Sequence, residues 1–152
     1  MSDATTIHAA RGDAVRANTK PTVQQKIDKK IRDQIIHFAS QPKEVIARRI
    51  YELESEWDIE RVLEANAAGI GLASLVWGLT VNKKCLALTA TVLSFLLLHS
   101  TQGWCPPVPL LRRLGVRTRR EIDRELFALK VLRGDFQTMS LDAESALNAV
   151  DA

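Results

Sequence analysis

A chain of 152 residues has room for one domain of ordinary size. Its 21 basic and 18 acidic side chains are too balanced for a polybasic tail or an acidic solvating chain. Aromatics at 5% and few Gly and Pro residues argue against an all-β sandwich and low-complexity chains, and two cysteines cannot build a disulfide framework. The charges are unevenly spread: none lies between Glu64 and Lys83, and none between Lys84 and Arg112. With about a quarter of residues charged, the first gap alone has odds of about half a percent per starting point. The chain therefore divides into a charged region 1–64, an apolar region 65–105 and a charged region 106–152.

Residues 1–21 are polar and without periodicity. They lack the apolar core of a signal peptide and are expected to form a disordered arm. Region 22–64 reads as amphipathic helices. Val23, Ile27, Ile31, Ile35 and Phe38 recur at helical spacing, flanked by Lys26, Lys29, Lys30 and Arg32. Ser40-Gln-Pro42 breaks the pattern, and Ile46, Ile50, Leu53 and Trp57 form a second stripe. These stripes are expected to pack on each other or on another subunit. The Lys-rich helix lying on an anionic membrane surface is the alternative. No aromatic interleaving accompanies the basic residues, so no nucleic-acid partner is expected.

Region 65–105 holds two apolar stretches, about 65–81 and 85–102, around Asn82-Lys83-Lys84. Neither alternates with period two, and neither has a polar face at period 3.6. Helices apolar all round belong in a large core or in lipid, and this chain is too small for such a core. The pattern predicts an all-α fold with a transmembrane helical hairpin flanked by amphipathic cytoplasmic helices. Each stretch is near the lower length limit for a span of the roughly 30 Å hydrocarbon layer. Trp77, Lys83, Lys84, Trp104, Arg112 and Arg113 are the expected membrane-interface residues. The first helix carries the small-residue pairs Ala67/Gly71 and Ser74/Gly78, which suit close helix packing. Five arginines follow the second stretch, three precede the first, and the loop has two lysines. The positive-inside rule then puts both termini in the cytoplasm.

Beyond the hairpin, Pro106, Pro107 and Pro109 are expected to hold an extended stretch in a basic linker. They leave no room for a regular first helix of a helix-turn-helix. Thr118-x-x-Glu121 opens a cytoplasmic helix with Ile122, Leu126 and Leu129 on one side, ending near Gly134, so 106–134 is linker and helix. Residues 135–152 are expected to be a flexible tail.

The sequence has no glycine-rich phosphate loop, His-Glu-x-x-His, paired Cys-x-x-Cys or Ser/His/Asp signature. No cofactor, metal site or catalytic set is expected. Cys105, near five arginines, is the candidate thiol. It reads as a packed small residue, as a reactive or persulfide-accepting thiol, or as a metal or haem ligand. His99 and Cys105 from two copies have the chemistry of zinc ligands, but residues six apart lie about 120° apart around a helix.

Asp58-Ile-Glu-Arg61-Val-Leu63, a short apolar hairpin, Gly103-Trp-Cys105-Pro106 and the pair Leu110-Leu111 together resemble the YgaP-type bacterial inner-membrane domain. The resemblance covers about 58–115, with Glu60 a departure from the usual lead-in. It implies two short transmembrane helices and a homodimer in the bacterial inner membrane. The sulfur-transferring rhodanese domain of the best-known members is not legible in this chain. The expected function is a small inner-membrane anchor, scaffold or accessory subunit with the lipid bilayer and a membrane or sulfur-handling protein as partners. The alternatives are a sulfur-transfer or redox accessory protein using Cys105, and a soluble helical interaction protein with its hairpin buried in an oligomer.

Overall fold

A computed structural model describes residues 14–102 and 105–136. Every element among them is helical: α1 (Ala14–Ala17), α2 (Pro21–Ala39), α3 (Lys43–Ser55), α4 (Ile59–Thr80), α5 (Cys85–Gln102), α6 (Val108–Arg113) and α7 (Arg119–Arg133). The chain forms two compact units. One draws on Met1–Ile27 and Trp57–Arg120, the other on Asp28–Glu56 and Glu121–Ala152.

The second unit is an ordinary amphipathic assembly. Ile46, Ile50 and Leu53 of α3 are buried with Ile122, Leu126 and Leu129 of α7, and Phe38 packs against them. The helical spacing of the two triplets aligns each as one stripe, and burial of the stripes is what stabilises short helices in water. Glu125 is fully buried and accepts two hydrogen bonds from Arg49, through Nε and Nη2, both at 3.0 Å. A buried carboxylate needs such a partner, since an unpaired charge in the interior is costly. At the end of α7, Gly134 takes a positive φ of 96°, and Arg133 binds the Asp135 carboxylate through Nε and Nη2. That contact holds Asp135 below the usual carboxylate range.

The first unit is built on the hairpin of α4 and α5. Asp58 caps α4, its Oδ1 accepting from the Arg61 amide at 2.8 Å. The helix thus begins six residues before the apolar stretch and reaches 22 residues, about 33 Å. α5 has 18 residues, about 27 Å. The turn is closed by local bonds. The Lys84 amide donates to Asn82 Oδ1 at 3.0 Å and the Cys85 amide to the Asn82 carbonyl at 2.9 Å. Asn suits this task because its side chain mimics a backbone acceptor.

Four features differ from the sequence expectations. Ala14–Ala17 is helical, because Val15 is buried against Ile59, Leu63, Cys105 and Val108, a tertiary anchor with no periodic signal. Trp57 leaves the α3 stripe. It lies beyond the helix, half exposed, with the Arg61 guanidinium 4.5 Å from its ring centroid. The Ser55-x-x-Asp58 spacing, which reads as a possible helix start, is not one cap: Ser55 ends α3 and Asp58 caps α4. Finally, Val108–Arg113 is helical rather than extended, since Pro107 and Pro109 fall before and within a first turn whose amide donors need no partner. Gly115 ends that short helix at a φ of 89°, which a side chain would oppose.

Of the three α4 glycines, Gly78 lies nearest to α5. A Cβ there would lie 2.6 Å from Leu86 Cδ2 and 3.1 Å from the Leu86 backbone nitrogen. At Gly71 the nearest atom would be Val92 Cγ1 at 3.9 Å, and at Gly69 nothing lies within 4 Å. Gly78→Ala is therefore expected to destabilise the hairpin by about 1–3 kcal/mol, whereas Gly71→Ala and Gly69→Ala are tolerated. Unfolding of the purified chain in detergent, followed by circular dichroism, measures this. Equal stability of all three variants would contradict the packing described.

Candidate functional site

Between them, the two apolar helices use little of their surface for each other. The buried residues in the apolar part of α4 are Gly71, Ser74 and Gly78, one helical face. Ala67 continues that face and is half-buried. Ser74 gives its hydroxyl proton to the Gly71 carbonyl at 3.0 Å and shares a 2.8 Å hydrogen bond with Thr89 across the interface. With its one proton so used, Ser74 accepts from Thr89. The small-residue face is thus occupied by α5 of the same chain.

The remaining faces are apolar and exposed, as Leu72, Val76, Leu79, Leu93 and Leu97 illustrate. Within Lys43–Thr80, the range that holds α3 and α4, and within Cys85–Gln102 there is a window long and apolar enough to cross a membrane, and only 17% and 6% of those windows is buried. A core helix of a soluble protein has the same composition but is mostly covered. Trp77 is exposed in the last turn of α4, beside the turn lysines Lys83 and Lys84, which are also exposed. Trp57 stands just before the other end of α4. Twenty residues separate the two tryptophans, about 30 Å if counted at the helical rise. The spacing of Trp57 after Ile46, Ile50 and Leu53 suggests a packing stripe and hides this pairing. The Asp58 cap was the signal that shows α4 starting beside it.

At the end of the hairpin away from the turn, a cavity of about 420 Å³ is lined mainly by Leu63, Ala67, Ile70, Val92, Phe95, Leu96, Pro106, Pro107 and Leu111. Asn66, His99 and Cys105 complete the lining. Cys105 is 7% exposed and packs with Val15, Ile59, Leu63 and Val108. Burial pushes its thiol up from the ordinary value. The thiolate is the nucleophile and the metal ligand, so these surroundings favour an inert packing role. Arg112, expected at the membrane interface, is 1% exposed. Its Nε donates to Thr19 Oγ1, Nη1 to the Val116 carbonyl and Nη2 to Gln24 Oε1, each at 3.0 Å. This guanidinium ties Thr19, before α2, and Gln24, in its first turn, to the loop after α6. Arg113 is exposed. Trp104 lies outside the described residues. Among the described residues, no group of three or more His, Cys, Asp or Glu side chains is gathered as a metal site.

Compared with known proteins, the chain matches no family model, no curated protein and no solved structure.

The environment of Cys105 gives a kinetic expectation. In a Cys85→Ala variant, maleimide alkylation of the folded chain at pH 7 is expected to run at least about tenfold slower than in denaturant. Its rate should rise with pH to a midpoint above the free-thiol value of about 8.5, because burial favours the protonated form. Rapid labelling at pH 7 with a midpoint below that value would contradict the buried-thiol description.

Proposed function

We propose that this chain is a small integral membrane protein whose hairpin of α4 and α5 spans a bilayer, serving as an anchor or scaffold for its charged helical segments. The observation that carries this reading is the exposure of two all-round apolar helices. In water, contiguous apolar surface beyond a few hundred Å² marks an interaction site or drives aggregation. In lipid the same surface is solvated, and both helices satisfy their own backbone polar groups, as the hydrocarbon layer requires. Tryptophans near both ends of α4 and lysines in the turn fit a headgroup boundary at each end.

The finer features rest on charge and resemblance. The flanking arginines, three before the hairpin and five after it, outnumber the two turn lysines and favour cytoplasmic termini under the positive-inside rule. The likeness to the YgaP-type domain favours the bacterial inner membrane and a homodimer. Since α5 covers the Gly71, Ser74 and Gly78 face, a second copy would meet the outward faces of the hairpin. The burial of Cys105 weighs against a thiol-dependent sulfur or redox role.

Carbonate extraction of membranes from cells making the full chain tests the reading. The chain is expected in the pellet, and a cysteine placed at Asn82, in a background lacking Cys85 and Cys105, is expected to react with an impermeant maleimide from the periplasmic side. Release of the chain into the supernatant as a discrete oligomer would instead identify a soluble assembly with its hairpin buried between subunits. Labelling of position 82 only from the cytoplasmic side would invert the proposed topology.

A further inference from the structure

The cavity at the end of the hairpin away from the turn has the marks of a small-molecule site. Its volume of about 420 Å³ lies in the range of ligand pockets. Among the described residues that line it, none carries a carboxylate, ammonium or guanidinium group. It also holds a polar group that the fold leaves unmet. His99 is 9% exposed, and its Nδ1 is buried without a hydrogen-bond partner among the described residues. Buried polar atoms are nearly always paired, and an unpaired one calls for a partner from elsewhere.

These properties restrict what fits. A permanently charged head would be desolvated in a wall whose only ionisable groups are the His99 imidazole and the Cys105 thiol, with no carboxylate, ammonium or guanidinium to pair it. A plain hydrocarbon would fill the space and leave Nδ1 unpaired. An uncharged molecule with a hydroxyl or carbonyl oxygen on an apolar body meets both needs. A hydroxyl suits either tautomer of the imidazole, and a carbonyl suits the one protonated at Nδ1. The access route agrees. Ile70 and Phe95 line the cavity yet are 49% and 39% exposed, so part of its lining also faces the medium around the hairpin. His99 lies fourteen residues after Cys85, about 21 Å along α5 and in its last turn, the depth at which the polar end of a membrane amphiphile resides. We propose that this cavity binds a neutral lipid-soluble amphiphile through an oxygen hydrogen-bonded to His99 Nδ1, with the apolar body against Ala67, Val92 and Leu96. The proposal rests on the membrane reading for the route by which the ligand arrives. Two sources share this chemistry, quinones or their quinols and neutral glycerides.

The test uses the full chain purified in detergent. The probes are a photoreactive benzoquinone bearing one isoprenyl unit and a photoreactive dioctanoylglycerol, each competed by its unlabelled form. Saturable, competed cross-linking within 92–99 or 105–107 is expected for one of them, and which one labels identifies the source. His99→Leu should raise the half-saturating concentration about tenfold, the loss expected for one buried hydrogen bond. Ala67→Phe, which fills the cavity, should abolish labelling, while Leu72→Phe on the exposed face of α4 should leave it unchanged. Non-saturable labelling by both probes would overturn the proposal. So would labelling indifferent to both His99→Leu and Ala67→Phe, or equal competition by dioctanoyl phosphatidylglycerol. Binding in detergent and carbonate extraction are independent readouts. A chain that stays in the membrane without binding refutes the site alone, and one that binds but is extracted refutes the membrane reading alone.

Discussion

Apolar side chains on every face of α4 and α5 constrain everything else in the first unit. Two helices packed against each other cover only a strip of each, and on α4 that strip is made of small residues. The larger leucines, valines and tryptophan point elsewhere. Burial of such side chains contributes about 1.5–3 kcal/mol each when they leave water, so covering these faces with lipid or protein would stabilise this unit. The hairpin contact itself draws on different forces. Close backbone approach at Gly78 and the Ser74–Thr89 hydrogen bond supply packing and polar attraction, which hold helices together where no hydrophobic gradient exists between them.

The polar end of the unit is organised to finish what the helices leave open. Asp58 satisfies an amide of the first turn of α4, and the Ile59 amide donates to the Arg117 carbonyl at 2.9 Å. Arg112 spends its guanidinium on Thr19, Gln24 and Val116, and Val15 plugs the apolar cluster that includes Cys105. The Ile59–Arg117, Arg112–Thr19 and Arg112–Gln24 bonds and the packing of Val15 join residues far apart in sequence, whereas the Asp58 cap and the Arg112–Val116 bond are local. The cavity beside His99 is where this closure is incomplete. The second unit follows the rules of a water-soluble protein, with stripes facing inward and the Arg49–Glu125 pair satisfied inside.

Much of the helical fold was legible in the sequence because it rests on local periodicity. The charge gaps located the apolar segments of α4 and α5, and the stripes of α2, α3 and α7 emerged from spacing alone. What was not legible depends on contacts between distant residues. Val15 is a lone valine in a polar arm, and only its tertiary neighbours make Ala14–Ala17 helical. The three prolines suggested extension, yet at a helix start they are compatible with α6. Arg112 looked like one of five surface arginines, and nothing local announces that it is buried. The same holds for the site. Cys105 was singled out for its basic neighbours in sequence, whereas its neighbours in space are aliphatic. His99 mattered for a reason that spacing does not reveal, an unpaired nitrogen at a cavity wall.

The central claim is that the outward faces of α4 and α5 meet lipid. Nitroxide labels at Leu75, Val76, Leu93 and Leu97, all exposed, read this directly in vesicles of bacterial inner-membrane lipids. Power-saturation electron paramagnetic resonance compares collisions with apolar oxygen and with a water-soluble nickel chelate. At all four positions oxygen is expected to dominate, with the balance shifting towards nickel at Lys83. Dominance of nickel at Leu75, Val76, Leu93 and Leu97 would place these faces in water and contradict the account.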